Sequence, residues 1–316
     1  MATQFALGGR TGPAARPGLQ KPARRRRGLR QTLEGWGFVA PATVIILGLS
    51  IFPAGWAFVL SLQNWNGFAQ PTFVGGDNYT QMLSDADLWD AVGHTLLYTA
   101  LFVPASILLG LFLAVALNRK IRFIGIYRTA IFVPFVVSAA TTGVLTNYLF
   151  DPQFGIVNNI LRVVGIPPQG WLTNPSQAML VIAIMSLWGS AAFTTVIYLA
   201  ALQDVPSDLI EAATVDGASR WQIFWRVIWP ELTPVTVFAG IWQVIQAIQL
   251  FDLVYTTTRG GPLDATKTVV YYLWDMAFHQ LQFGYGSAVA YGLFGVTLLI
   301  TIGIVVYSRR SKIEAF

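Results

Sequence analysis

The chain has 316 residues, of which 54% are hydrophobic and 11% charged, with a mean hydropathy of +0.56 and a net charge of +5. A soluble domain carries roughly 25% charged residues, so this composition points to the bilayer. There is no cysteine and there are two histidines, His94 and His279, which excludes a disulfide framework, a thiolate metal site and a cysteine nucleophile, and leaves little material for acid–base chemistry.

Residues 1–35 hold Arg10, Arg16, Lys21, Arg24, Arg25, Arg26, Arg27 and Arg30 against one acid, Glu34, among prolines and glycines. So few apolar side chains cannot offset the entropy of ordering, and a disordered basic arm is expected. The apolar stretch that follows is too long for a signal peptide and lacks a small-residue cleavage site. Basic residues directly before a span hold that end in the cytoplasm, and we read the arm this way rather than as a nucleic-acid arm.

Crossing the hydrocarbon core takes about 20 apolar residues as helix. Six windows without Asp, Glu, Lys or Arg reach that length: 36–62, 92–117, 129–150, 178–202, 232–251 and 284–308. Pro41, Pro53, Pro104 and Pro134 fall inside them and are expected to bend the helices rather than break them. With the N-terminus inside, 17 of the 20 lysines and arginines lie in inner segments, and Arg162, Arg259 and Lys267 lie outside. This satisfies the positive-inside rule. The expectation is an all-α membrane protein in which residues 36–316 form one six-helix transmembrane domain. Both termini are cytoplasmic, and so is the loop 203–231.

That loop is punctuated like folded structure. Pro206, Ser207 and Asp208 suit a helix start, predicting a helix over about 207–215. Asp216-Gly217 ends it, because glycine takes the left-handed position. Ser219 with Gln222 has capping-box spacing for a second helix, which Pro230 is expected to end, with Pro234 opening the next span. Trp221, Phe224, Trp225 and Ile228 fall on one apolar face. Such a face suits either a membrane interface or a groove in another protein.

Glu211, Ala212, Ala213, Asp216, Gly217, Ala218, Phe224, Pro230 and Pro234 match, in register, the pattern EAAxxDGAx…F…P…P. The chain thereby resembles the permeases of binding-protein-dependent ABC importers. The stretch Phe251–Pro262, reading FDLVYTTTRGGP, is similar to the carbohydrate-uptake type and to its MalF/UgpA-like subunit. Phe73-Val74-Gly75 with Asn78-Tyr79, and Phe283–Ala288, extend the likeness from about residue 36 to the C-terminus. The resemblance implies a MetI-like permease fold. It also implies a coupling role for the EAA loop, whose nine matched residues would seat it on a cytoplasmic ATPase subunit. The implied partners are a MalG-like second permease, two ABC ATPase subunits, an extracytoplasmic solute-binding protein and membrane lipid, with no nucleic acid. No cofactor is expected on this chain; ATP and magnesium belong to the partner ATPases, since no phosphate-binding GxxxxGK[ST] loop is present. The location implied is a bacterial or archaeal plasma membrane.

Polar side chains inside spans are costly unless used, and they mark solute paths. Gln243, Gln246 and Gln249 are spaced by three beside Trp242, with Asp252 and Tyr255 after them. Amides beside an aromatic platform suit sugar hydroxyls and apolar sugar faces, although glutamines also serve as packing glue between helices. Asn147, Trp188 and Tyr198 complete the expected path. Gly284, Ala288 and Gly292, four apart, are expected to pack closely on another helix. The solute expected is a mono- or oligosaccharide. Glycerol 3-phosphate or a glycerophosphodiester is the alternative within this class, and a self-sufficient secondary transporter or a lipid-bound scaffold are alternatives outside it.

Overall fold

A computed structural model describes residues 29–119 and 122–310. They divide into two compact units, with the boundary after Ala54. The described part of the first unit is helical: α1 (Leu29–Ile46), a π-helical turn at Leu47–Ile51, and the start of α2 (Phe52–Ser61). Residues 1–28 of the basic arm lie outside the described residues. The helix starts at Leu29, so residues 29–35 depart from the expected arm. Leu, Arg, Gln and Glu propagate a helix at little cost once a span has nucleated it.

In the second unit α2 leads into a two-stranded antiparallel pair, β1 (Gln63–Asn64) with β2 (Thr72–Phe73), in which Gln63 faces Phe73. Then come α3 (Asp77–Ser84) and α4 (Ala86–Leu117). Asp85 caps α4 by accepting the Leu88 N–H at 3.2 Å. Next are α5 (Ile124–Val136), α6 (Ala139–Leu149), α7 (Ile156–Val163) and α8 (Pro175–Asp204). Asn174 caps α8, and Pro175 opens it where a missing N–H is harmless.

Window 129–150 is not one straight span: α5 and α6 meet at 103°. Pro134 removes a donor from the last turn of α5. Val137 and Ser138 are extended, and Ser138 starts α6 by accepting the Thr141 N–H at 3.3 Å. Apolar character said nothing about this corner, because hydropathy has no direction.

Among the described residues, Gly35–Ser61, Ala86–Leu117, Pro175–Asp204 and Phe283–Val306 are helices long and apolar enough to cross a membrane, and the bent pair makes a fifth. α11 (Trp229–Ile248) is shorter, with 20 residues. It is less apolar, carrying Glu231, Gln243 and Gln246.

α8 is the centre of the bundle. α4 runs along it, and α11 packs on both. Gly110 of α4 sits against the Thr194 side chain of α8, with no room for a Cβ. Gln243 of α11 donates from Nε2 to both Ser106 Oγ and Thr194 Oγ1, the latter at 2.8 Å, and so ties three helices at one point. Tyr198, Leu202, Ala114 and Leu232 close one end of this trio. Tyr98, Phe102, Met185, Leu250 and Val254 fill its middle.

The last quarter is α12 (Asp252–Thr256), α13 (Val269–Trp274), a π-helical turn at Asp275–His279, and α14 (Phe283–Arg310). α14 packs closely, as its small-residue spacing implied. Gly284 leaves no room for a side chain beside the Gln63 carbonyl, Ala288 is fully buried, and a Cβ on Gly292 would meet Met82 Sδ at 2.9 Å.

Candidate functional site: a cleft and a structured loop

The loop between α8 and α11 folds from local signals. α9 (Ser207–Val215) ends in a Schellman arrangement: Ala218 N–H donates to Ala213 O at 3.0 Å and Gly217 N–H to Thr214 O at 3.1 Å. Gly217 holds φ +78 there, a conformation that costs an L-residue about 1–2 kcal/mol. Ser219 and Gln222 form the expected capping box. Gln222 N–H donates to Ser219 Oγ at 3.3 Å, and Ser219 N–H donates back to Gln222 Oε1 at 2.8 Å. This box opens α10 (Arg220–Ile223).

The exit differs from expectation. Pro230 does not end the second helix. α10 passes through a π-helical turn at Phe224–Ile228, where Trp229 N–H reaches Phe224 O, and continues directly as α11. The wider turn accommodates Pro230, which lacks an N–H and would crowd the carbonyl four residues back. Pro234 lies inside α11 rather than at its start. Glu211, Ala212, Asp216 and Gly217 are exposed, while Ala213, Ala218 and Phe224 are half-buried. Trp221, Trp225 and Trp229 pack in series, with centroids 5.5 and 5.4 Å apart, and Trp221 is 72% exposed. The loop therefore presents a short helix, a rigid turn and an aromatic ridge, all outside the bundle.

The second feature is a cleft of ≈ 500 Å³ between α4, α5, α6, α8, α11 and the residues 249–253 that follow α11. Five of the nine expected path residues line it: Trp242, Gln243, Gln246, Gln249 and Asp252. Trp242 stacks on Phe193 at 5.1 Å, giving an aromatic wall, and Gln246 and Gln249 are exposed residues of the same lining. Gln243 is 2% exposed, with its amide nitrogen committed to Ser106 and Thr194. Spacing by three turns a helix back by about 60° per step. The three glutamines therefore border the cleft at different depths, and the buried Gln243 acts as interhelical glue.

The other four stand elsewhere. Trp188 packs against the middle core, and the buried Tyr198 donates to Thr236 Oγ1 at 3.0 Å. Asn147 donates from Nδ2 to Thr256 O at 3.2 Å, joining α6 to α12. Tyr255 lies one turn beyond the cleft residue Phe251, with rings stacked at 5.3 Å. The cleft wall also includes Ser186, Gly189, Ser190 and Phe193 of α8. Their i, i+3, i+4, i+7 spacing was readable as one face, but in an all-apolar span it does not stand out.

Beside the cleft, the segment between α12 and α14 is fastened to α4 and to the turn that follows α11. Asp85 accepts hydrogen bonds from the Tyr272 and Tyr285 phenols. Val269 N–H donates to Thr95 Oγ1 at 3.0 Å, and Thr268 Oγ1 donates to Leu250 O at 2.7 Å. Burial pushes the Asp85 carboxyl upward, but the two phenols and the Leu88 and Asp87 N–H groups outweigh it and hold it below its ordinary value.

Residues 106–311 match the family model for the inner membrane component of binding-protein-dependent transport systems. Among curated proteins, the lactose transport system permease protein LacF of Rhizobium radiobacter is 36% identical over 265 residues, covering 82% of this chain and 88% of its own. The trehalose/maltose transport system permease protein MalF of Thermococcus litoralis is 32% identical over 275 residues, 86% and 92% of the two chains. In fold, the chain is similar to a bacterial alginate ABC transporter crystallised with an alginate pentasaccharide-bound periplasmic protein. The TM-score there is 0.80 at 19% identity, covering 92% of this chain and 99% of that one. Packing, loop and family match agree: the chain belongs to the inner membrane components of binding-protein-dependent transport systems, as a multi-pass permease of an ABC importer.

Proposed function

We propose that this permease carries a sugar, as a mono- or oligosaccharide, and that the loop Glu211–Pro234 couples it to an ATP-hydrolysing partner. The cleft carries the substrate reading. Trp242 and Phe193 offer flat apolar surface, Gln246 and Gln249 offer amides, and Ser186 and Ser190 offer hydroxyls. Together these suit a solute with an apolar face and a rim of hydroxyls. Asp252 is the one charged residue in the lining and repels a phosphate, which disfavours glycerol 3-phosphate and its diesters. The relatives that are lactose and trehalose/maltose transport system permease proteins agree with this choice.

In the working assembly the chain pairs with a MalG-like permease and two ABC ATPase subunits that bind ATP and magnesium. An extracytoplasmic solute-binding protein delivers the sugar. α11 and the bent α5–α6 pair bring the spans to six, with both termini and the loop on the cytoplasmic side. Glu211 and Asp216 supply polar contacts to the ATPase, Ala212, Ala213 and Ala218 allow close approach, and Gly217 sets the turn. The half-buried Phe224 seats the loop on the ATPase, and Pro230 and Pro234 shape the exit.

The test is reconstitution of the whole assembly in liposomes, measuring uptake of lactose, trehalose and glycerol 3-phosphate. Sugar uptake that requires both the binding protein and ATP is expected. Preference for glycerol 3-phosphate would overturn the substrate, and uptake surviving removal of the ATPases would overturn the coupling.

A further inference from the structure

A line of aromatic rings leaves the cleft along α12. Phe251 lines the cleft. Tyr255 stacks on it at 5.3 Å with planes 22° apart, and Trp274 meets the Tyr255 ring edge-on at 4.9 Å and 74°. Trp274 is itself steadied by Tyr271 at 5.7 Å and by Phe251 at 5.8 Å. Three half-buried or buried rings thus fix the orientation of one exposed ring, since Tyr255 remains 40% exposed.

Polar groups stand on and beside the same short helix. Asp252 is exposed on the same short helix and lines the cleft, and the exposed Asn147 is held beside this helix by its bond to Thr256 O. A lipid-facing aromatic belt would not need a carboxylate and an amide held at its side. A fixed aromatic surface with acceptor and donor at its rim is the chemistry that takes a pyranose, apolar face on the ring and hydroxyls on the rim.

We propose that Tyr255, braced by Phe251 and Trp274 and flanked by Asp252 and Asn147, is a sugar-stacking subsite at the mouth of the cleft, separate from the Trp242–Gln246–Gln249 wall. The sugar occupies it before passing Phe251 into the cleft. The subsite rests on the sugar reading of the permease given above, and it adds a capture step in which Tyr255 sets the apparent affinity for uptake while the cleft wall sets passage.

The experiment uses the full assembly in proteoliposomes with radiolabelled lactose and trehalose. Tyr255→Ala is expected to raise the KM for the transported sugar by roughly fivefold, the range for one lost aromatic face. Tyr255→Trp should restore the KM. Tyr255→Ala with wild-type KM, while the wild-type assembly takes up sugar normally, overturns the subsite and leaves the permease function intact. Loss of co-purifying partner subunits in Tyr255→Ala also overturns it, by making Tyr255 an assembly contact. A wild-type assembly that carries neither sugar overturns the subsite together with the function on which it rests.

Discussion

Asp85 and Tyr272 lie 187 positions apart and are joined by a hydrogen bond from the phenol to the carboxylate that also caps α4. One carboxylate thereby fixes the start of a long span, α13 and, through Tyr285, the start of α14. A carboxyl held below its ordinary value of 3.8 stabilises the fold above that pH, and the contribution is lost as pH falls through the folded-state value. Asp85→Asn should therefore lower the melting temperature of the purified assembly near neutral pH. The gap to wild type should narrow below about pH 3.8. A gap that stays constant with pH would contradict this role.

Gln243 is expected to matter for stability and Gln246 for transport. Gln243→Ala leaves the Ser106 and Thr194 hydroxyls bonded only to each other, at 3.2 Å, and loses the tie to α11, at a cost of about 0.6–2 kcal/mol for a bond inside a membrane bundle. Gln246→Ala, at an exposed position in the cleft, should leave the melting temperature unchanged and reduce sugar uptake. Thermal unfolding in detergent beside uptake kinetics reads both effects, and the reverse pattern would refute the assignment.

Gly110 and Gly292 should respond differently to an added methyl. At Gly110 a Cβ runs into the Thr194 side chain and, at 3.1 Å, its backbone, so Gly110→Ala should destabilise by about 1–3 kcal/mol. At Gly292 the atoms met are Sδ at 2.9 Å and Cε at 3.1 Å of Met82, the far end of a pliant side chain. Gly292→Ala should therefore cost clearly less, which denaturation of the two variants side by side can check.

Gly217 has open space around it, so Gly217→Ala brings only the penalty of its left-handed backbone, about 1–2 kcal/mol. Gly217→Pro, whose ring cannot adopt φ +78, must rebuild the turn. Both variants should insert normally. Uptake per ATP hydrolysed should fall modestly in the first and sharply in the second. Full uptake in Gly217→Pro would show that the turn does not carry the coupling.

The features that could be read from the sequence are those set by near neighbours. The helix at 207–215, the glycine turn and the Ser219–Gln222 box each need only residues within about one turn, and the structure reproduces all three. The apolar windows likewise located the helices, because composition and length suffice for that. What stayed hidden depends on direction. The corner at Val137–Ser138 lies inside a single apolar window, and Gln243 differs from Gln249 only in helical phase. The Asp85–Tyr272–Tyr285 fastening joins residues with no periodic relation. Pro230 misled for a related reason: it breaks an α-turn, but a π-turn just before it absorbs the defect.

That π-turn makes Arg220 to Ile248 one uninterrupted helical rod, about 43 Å long at 1.5 Å per residue. The exposed loop sits at one end, and Gln246 and Gln249 sit at the other. A hinge at Pro230 would let the loop swing while the cleft stayed still. A continuous rod leaves no break between its two ends, so under the coupling proposed above a push on the exposed end reaches the amide wall of the cleft without any intermediary.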